Sequence, residues 1–341
     1  MKKVNVAIVG ATGAVGTKIL EKLLEREFPV ESIKLLASKR SAGTEITAGG
    51  QTYIVEETVP ESFEGVDIAF FSAGGSISEK FAHEAVKRGA TVIDNTSAFR
   101  MQENIPLVVP EVNASALSGH TGIIANPNCS TIQMVAALQP IREKYGLERI
   151  IVSTYQAVSG AGAEAIDELE GQSQQFENRA ETEASILPSA AAKKHYPIAF
   201  NAIPQIDAFD ASGYTLEELK MINETKKIFG DPQLAVAATC VRLPVVTGHS
   251  ESVYIELGEE GVSVEALHAL LEKAPGVVVQ DDPSTQTYPM PLFAEGKDEV
   301  FVGRIRKDPN HSAGYHLWIV SDNLLKGAAL NSVQIAENLI Q

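Results

Sequence analysis

Apolar runs and helical stretches alternate through the first third of the chain. Val4 to Val9 reads as a short strand, and Ile19, Leu20, Leu23 and Leu24 recur at helical spacing directly after it. A second strand is predicted over Ile33 to Ala37 and a third over Val66 to Ser72. Ser78 to Arg88 follows as a helix stopped at Gly89, then Thr91 to Asp94 and Gly122 to Ala125 as strands. Strands alternating with helices predict a parallel sheet covered on both faces, with ligands beyond the carboxyl ends of the strands. A helix through Ile132, Val135, Ala136 and Leu138 comes next.

The second half is patterned differently. Ile150 to Val158, Ala235 to Val246, Val253 to Leu257 and Trp318 to Val320 read as strands. Ala163 to Ala184, rich in Glu, Gln and Asp, reads as a solvated helix or mobile segment without a specific role. Thr215 with Glu218 three residues on forms a capping box that opens another helix. The closing helix, with Ala328, Val333, Ala336, Leu339 and Ile340, is expected to pack back on the first domain and make it discontinuous.

Composition narrows the class. At 341 residues the chain has room for two domains of roughly 150 residues each. A formal charge of −16 argues against nucleic acid as a partner, and any anionic substrate must be held by a few placed Arg or Lys side chains. Two cysteines, Cys129 and Cys240, form no disulfide framework, which fits a reducing cytoplasm. No leader with a cleavage site and no apolar run long enough for a membrane span is read.

The chemistry sits at the element ends. Gly10-Ala11-Thr12-Gly13-Ala14-Val15-Gly16 lies between a strand and a helix, the context in which a glycine turn lets a pyrophosphate approach a helix N-terminus. Its G-x-x-G-x-x-G spacing departs from G-x-G-x-x-G. After the second strand, Ser38, Lys39, Arg40 and Ser41 offer cations and hydroxyls where an NAD site wants an acid, which favours NADP; a solvated basic turn is the plainer reading. Arg100, on a polar loop after Asp94, is an anion clamp or a surface arginine.

Asn126-Pro127-Asn128-Cys129-Ser130-Thr131 places a cysteine in the first turn of a helix, with Asn128 as N-cap. Positive potential there favours a thiolate, the nucleophilic form; a buried small hydrophobe is the alternative. Gln156 is polar among apolar strand residues and needs partners or a ligand. Glu217 and Lys220 share a helix face, by default as an ordinary exposed ion pair. Cys240 reads as core, whereas Arg242 in the same apolar run must find an anion. His249 is placed in a short loop after Gly248, a candidate proton carrier or simply a packed histidine.

Taken together, these residues resemble the aspartate-β-semialdehyde dehydrogenase family along essentially the whole chain. The resemblance is carried by Gly10–Gly16, Asn126–Thr131, Tyr155-Gln-Ala-Val-Ser-Gly160, Glu217 with Lys220, Cys240-Val-Arg-Leu-Pro244 before His249, and Ser321-Asp-Asn323. The absence of long insertions looks like the Gram-positive branch. The resemblance implies a glyceraldehyde-3-phosphate-dehydrogenase-like α/β architecture. A Rossmann-type NADP-binding domain over residues 1–128, completed by 323–341, would join an α+β catalytic and dimerisation domain over 129–322.

It further implies that Cys129 is the nucleophile carrying an acyl-thioester, that His249 is its acid/base partner, and that Gln156 holds the substrate near the thiol. Arg242 would bind the substrate α-carboxylate, Glu217 would face its amino group, and Arg100 and Lys220 would clamp phosphate. Gly10, Thr12, Gly13, Ala14, Val15, Arg40, Ser41, Ser159, Gly160 and Asn323 would line NADP, with no metal required. The implied reaction is reversible NADPH-dependent reduction of β-aspartyl phosphate, in the route to lysine, threonine, methionine and diaminopimelate. A cytoplasmic homodimer without nucleic-acid or membrane partners is expected. N-acetyl-γ-glutamyl-phosphate reductase, or a non-catalytic cofactor-binding homologue, is the alternative.

Overall fold

The computed structural model describes residues 3–340. They form two compact units, one running to Asn128 and resuming at Gly327, the other spanning Cys129–Lys326. The chain re-enters the first unit at Gly327, four residues after Asn323. Asn323 belongs to the second unit because its Oδ1 accepts from the Gly248 N–H (2.9 Å) and its amide donates to Ser159 Oγ (3.0 Å).

In the first unit, β1 (Val4–Val9), α1 (Ala14–Glu25), β2 (Val30–Ala37), β3 (Glu45–Ala48), β4 (Gln51–Glu57), β5 (Ile68–Phe71), α2 (Gly75–Lys87), β6 (Thr91–Asp94), α3 (Pro110–Asn113) and β7 (Ile123–Ala125) follow in order. The sheet is seven-stranded in the order β3-β4-β2-β1-β5-β6-β7, parallel except where β3 pairs with β4. β1 lies at its centre and is apolar on both faces, as a strand between two helix layers must be. The order reverses between β2-β1 and β5-β6, so a crevice opens beyond the carboxyl ends of β1 and β5. Ile19, Leu20 and Leu23 of α1 and Val333, Ile335 and Ala336 of the C-terminal helix Leu330–Ile340 bury against Val6, Ile8 and Phe70. The expected return of the closing helix to this unit is therefore observed.

The second unit contains α4 (Cys129–Tyr145), β8 (Arg149–Gln156), α5 (Ala163–Ser173), α6 (Leu216–Phe229), β9 (Ala235–Arg242), β10 (His249–Glu256), α7 (Val264–Leu271), β11 (Val277–Val279), α8 (Pro291–Ala294), β12 (Val300–Lys307) and β13 (Gly314–Ser321). Its six-stranded mixed sheet runs β11-β12-β13-β10-β8-β9. α4 is buried continuously from Ser130 to Gln139, a helix enclosed on all sides rather than amphipathic.

The capping box on α6 forms as read: Thr215 Oγ1 accepts from the Glu218 N–H, and Glu218 Oε2 accepts from the Thr215 N–H. Two readings change. β10 begins at His249, not Val253, so the histidine is in the ladder, paired with Ser321, rather than in a loop. Ser250, Glu251 and Ser252 hide that strand start because two ladder partners, β8 and β13, supply the burial that composition does not advertise. The α-helix within 163–184 ends at Ser173, followed by a short 3-10 turn at Phe176–Asn178, and it is not simply solvated: Ala165 and Leu169 pack in a small core with Val158, Leu187 and Ile198. Among the described residues, no helix is long and apolar enough to cross a membrane.

Candidate active site

In the first unit the glycine turn is shaped for close approach. Gly10 has φ +87°, and a Cβ on it would stand 2.9 Å from Ala73 N at the end of β5. A Cβ on Gly16 would come within 2.2 Å of the Gly10 carbonyl oxygen, so α1 can start this tightly against β1 only with glycine there. Gly10, Thr12 and Gly13 then line a groove of about 450 Å³ whose far wall is Ser38, Lys39, Arg40, Ser41 and Thr58. Ala14 and Val15 make the first turn of α1 at its edge. The groove has the chemistry of a dinucleotide site: open backbone at a helix N-terminus, and cations with hydroxyls past β2. Arg100 is buried, not a surface arginine. Its Nε donates to the Asn126 carbonyl (2.9 Å) and its Nη2 to the Asn95 carbonyl (2.8 Å).

In the second unit the candidate residues come from five elements, α4, β8, α6, β9 and β10. Cys129 is the first residue of α4, half-buried, at the positive end of a seventeen-residue helix. The next residue, Ser130, accepts from Gln156 Nε2 (2.9 Å), and the same nitrogen lies 3.2 Å from Thr154 Oγ1 and 3.2 Å from Glu217 Oε1. The buried amide thus has its partners and ties the end of β8 to α4 and α6. Glu217 is only 5% exposed, and Lys220 donates to both Glu217 Oε2 (3.3 Å) and Asp207 Oδ2 (3.0 Å). This is a half-buried cluster, so the ordinary exposed pair is ruled out.

Arg242, 3% exposed, donates through Nη1 to the Ala157 carbonyl, while its Nε has no protein partner. Burial lowers its pKa from the ordinary arginine value, and the charges of Glu217 and Cys129 act against that shift. A buried guanidinium with an unpartnered Nε has the chemistry to bind a carboxylate.

His249 is fully buried and accepts the Ala157 N–H at Nδ1 (3.1 Å). An accepting Nδ1 places the ring proton on Nε2, which has no protein partner. A Cβ built on Gly160 would stand 3.2 Å from Arg242 Nη1, the nitrogen that donates to Ala157, and 3.4 Å from the unpartnered His249 Nε2, so the two side chains meet beside Gly160. Ser159 and Asn323, bonded to each other, hold the Gly248 turn ahead of the histidine. Cys240 is core as read, its thiol pushed up by burial.

Burial, with the Arg242 charge second, drives the His249 pKa down to about 3, and Glu217 only partly opposes this. An unfolded histidine near 6.5 protonates first on acidification while the folded one does not, so stability falls as pH drops from 6.5 toward 3. At about 1.4 kcal/mol per pH unit this group alone removes about 2 kcal/mol by pH 5. Urea unfolding across that range should show the loss, and His249→Asn should flatten it.

Several partners were not singled out from sequence. Ser130 and Thr154 satisfy Gln156, Asp207 shares Lys220, Gln133 reaches the His249 carbonyl, and Glu251 is buried two residues after His249 on the same strand. The alternation His249, Glu251, Val253, Ile255 is the signal that finds the last of these.

Comparison with known proteins places the chain. Residues 5–120 match a family model described as semialdehyde dehydrogenase, NAD binding domain, and residues 138–326 one described as semialdehyde dehydrogenase, dimerisation domain. The first domain is thus a nicotinamide-cofactor domain. Aspartate-semialdehyde dehydrogenase of Bacillus subtilis is 66% identical over 335 residues, 98% of this chain and 97% of the relative. The structure of aspartate semialdehyde dehydrogenase II of Vibrio cholerae complexed with ASA superposes with a TM-score of 0.92 at 48% identity, covering 100% of this chain and 99% of that one. That of the Candida albicans enzyme with NADP gives 0.76 at 26% identity, with 99% of each chain covered. The chain belongs to the aspartate-semialdehyde dehydrogenase family.

Proposed function

We propose that this protein reduces β-aspartyl phosphate to aspartate β-semialdehyde and phosphate, reversibly, through a thioester on Cys129. One observation carries the reading above the family relation. Two buried side chains, Arg242 and His249, each keep one nitrogen without a hydrogen-bond partner and meet beside Gly160, and a helix N-terminus presents a thiol in the same unit.

Cys129 as thiolate attacks the acyl carbon, the carbonyl becomes an oxyanion, and its collapse expels phosphate to leave the thioester. In the oxidative direction the same sulfur adds to the aldehyde. His249 stands with Nε2–H as a donor to the oxygen that gains charge, and it takes that proton back when the hemithioacetal breaks down. Arg242 receives the α-carboxylate through the edge its protein partners leave open, and Glu217 faces the amino group. Gln156, by holding Ser130, sets the substrate against the thiol. Arg100 and Lys220 are assigned to phosphate, so the carboxylate and phosphate ends of the substrate have separate cations. The nicotinamide cofactor, when bound, supplies or accepts the hydride. Reduction of NADP+ on adding aspartate semialdehyde tests the reaction: without inorganic phosphate it should stop after one turnover.

The finer cofactor assignment is NADP. Its support is the Ser38–Ser41 wall of the groove, with the NADP complex of the Candida relative in agreement. Thr12, Gly13, Ala14 and Val15 hold the pyrophosphate, Arg40 and Ser41 the 2′-phosphate, and Ser159, Gly160 and Asn323 the nicotinamide end. Arg40→Ala should raise KM for NADP+ by roughly ten- to a hundredfold, the worth of one charge-assisted contact at about 1.5–3 kcal/mol, and leave KM for NAD+ nearly unchanged. Equal effects on both cofactors would contradict it.

A homodimer is also proposed. One face of the second sheet is left open, with Ile151 44% exposed and Tyr155 against Trp318 at 5.5 Å between ring centroids. Sedimentation giving a monomer would remove this assignment.

A further inference from the structure

Two neighbouring strands of the first unit run into asparagine, and both asparagines serve Arg100. β6 and β7 pair in parallel through Asp94 and Ala125, so Asn95 and Asn126 stand just past their carboxyl ends, on the ligand-binding edge of the sheet. The Asn126 carbonyl accepts from Arg100 Nε and the Asn95 carbonyl from Nη2, which fixes the plane of the buried guanidinium. A guanidinium aimed in this way is only as well placed as the two peptide units that hold it.

Both peptide units are held from one place. The C-terminal helix presents Asn331 and Ser332, consecutive and fully buried. The two protons of Asn331 Nδ2 go to Asn126 Oδ1 (2.7 Å) and to the Val108 carbonyl (3.0 Å). Ser332 Oγ lies 2.7 Å from Asn95 Oδ1 and 3.0 Å from the Ala328 carbonyl, and its single proton suits the shorter contact. Asn95 Nδ2 reaches the Phe71 carbonyl at the end of β5 (3.2 Å), which orients that amide with its oxygen toward Ser332. Each asparagine is thus gripped at its side chain by the helix while its carbonyl faces Arg100. The helix also packs through Val333, Ile335 and Ala336, so its attachment does not depend on the two polar residues alone.

We infer that Asn331 and Ser332 are positioning residues for phosphate: by holding Asn126 and Asn95 they hold the carbonyls that aim Arg100. This rests on the reading of Arg100 as a phosphate clamp.

The test is run on the full-length enzyme in the oxidative direction. Ser332→Ala, which removes only the hydroxyl, should raise KM for inorganic phosphate roughly three- to tenfold, the worth of one neutral hydrogen bond. Asn331→Ala, which loses two bonds, should raise it further; Ser332→Ala carries the test alone if that variant does not fold. KM for aspartate semialdehyde and the single equivalent of NADPH formed without phosphate should keep their wild-type values, because thioester formation uses no phosphate. In an Arg100→Ala background, Ser332→Ala should add nothing to KM for phosphate, as expected of residues that act through one another. A wild-type phosphate KM in Ser332→Ala beside a raised one in Arg100→Ala would overturn the inference and leave Arg100 in its role. An unchanged phosphate KM in Arg100→Ala would instead remove the reading of Arg100, and the inference with it. Equal effects of Ser332→Ala with and without Arg100, or loss of the phosphate-free NADPH equivalent, would also overturn it, by making the helix contact merely structural.

Discussion

Cys129→Ala is expected to abolish turnover, with kcat falling by roughly a millionfold, as when a nucleophile is taken from a set of groups that act as one unit. The position of the residue makes the effect chemical rather than structural. Cys129 is half-buried at the first position of α4, and deleting one sulfur there opens no core cavity. Ser130, directly after it, stays anchored by Gln156, so the helix start keeps its place in the variant. Cys240 provides the control: it is fully buried, and Cys240→Ala should cost stability while leaving kcat intact. Mass measurement of the intact protein after exposure to the acyl phosphate should find an aspartyl adduct on the wild type and none on Cys129→Ala. Activity retained in Cys129→Ala would return the residue to a packing role.

The second large effect is His249→Asn, expected to lower kcat by roughly a hundred- to ten-thousandfold, the usual worth of a placed acid or base. Asparagine is chosen because its side-chain oxygen can still accept the Ala157 N–H that now meets Nδ1 at 3.1 Å. What it cannot supply is a group at Nε2, the nitrogen that points unfilled toward the space beside Gly160. Arg242 is untouched, so KM for the semialdehyde should move little. The ring is held neutral in the resting protein, with its pKa near 3, so the wild-type profile should show no limb from this histidine between pH 5 and 8. A KM effect of the same size as the kcat effect would mean that His249 binds the substrate and does not manage its proton.

The architecture was legible in sequence where burial is one-dimensional. β1, α1, β6 and β7 read directly because strands covered on both faces are continuous apolar runs. The antiparallel pair β3 and β4, joined at Gly49–Gly50, was not read, since its exposed alternating residues carry little hydrophobic signal. β10 was cut short for a related reason: its first four residues are His249, Ser250, Glu251 and Ser252, and only the ladders on both sides bury them.

The candidate site was legible residue by residue because each side chain broke a local rule. Gln156 and Arg242 are polar in apolar strands, and Cys129 begins a helix. Their partners were not legible. That Gln156 would meet Ser130, or Lys220 meet Asp207, depends on contacts between elements distant in sequence, which no local pattern carries. Glu217 shows the same limit: spacing alone made it half of a surface pair, and only the packing of α6 buries it.

The most direct measurement is NADP+ reduction in phosphate buffer with two aldehydes side by side, aspartate β-semialdehyde and N-acetylglutamate γ-semialdehyde. In the proposed roles Arg242 receives a carboxylate and Glu217 a free amino group, and acetylation removes the second of these charges. The account predicts rapid, phosphate-dependent reduction with aspartate semialdehyde and little with the acetylated compound. Preference for the acetylated compound, or turnover that needs no phosphate, would contradict it.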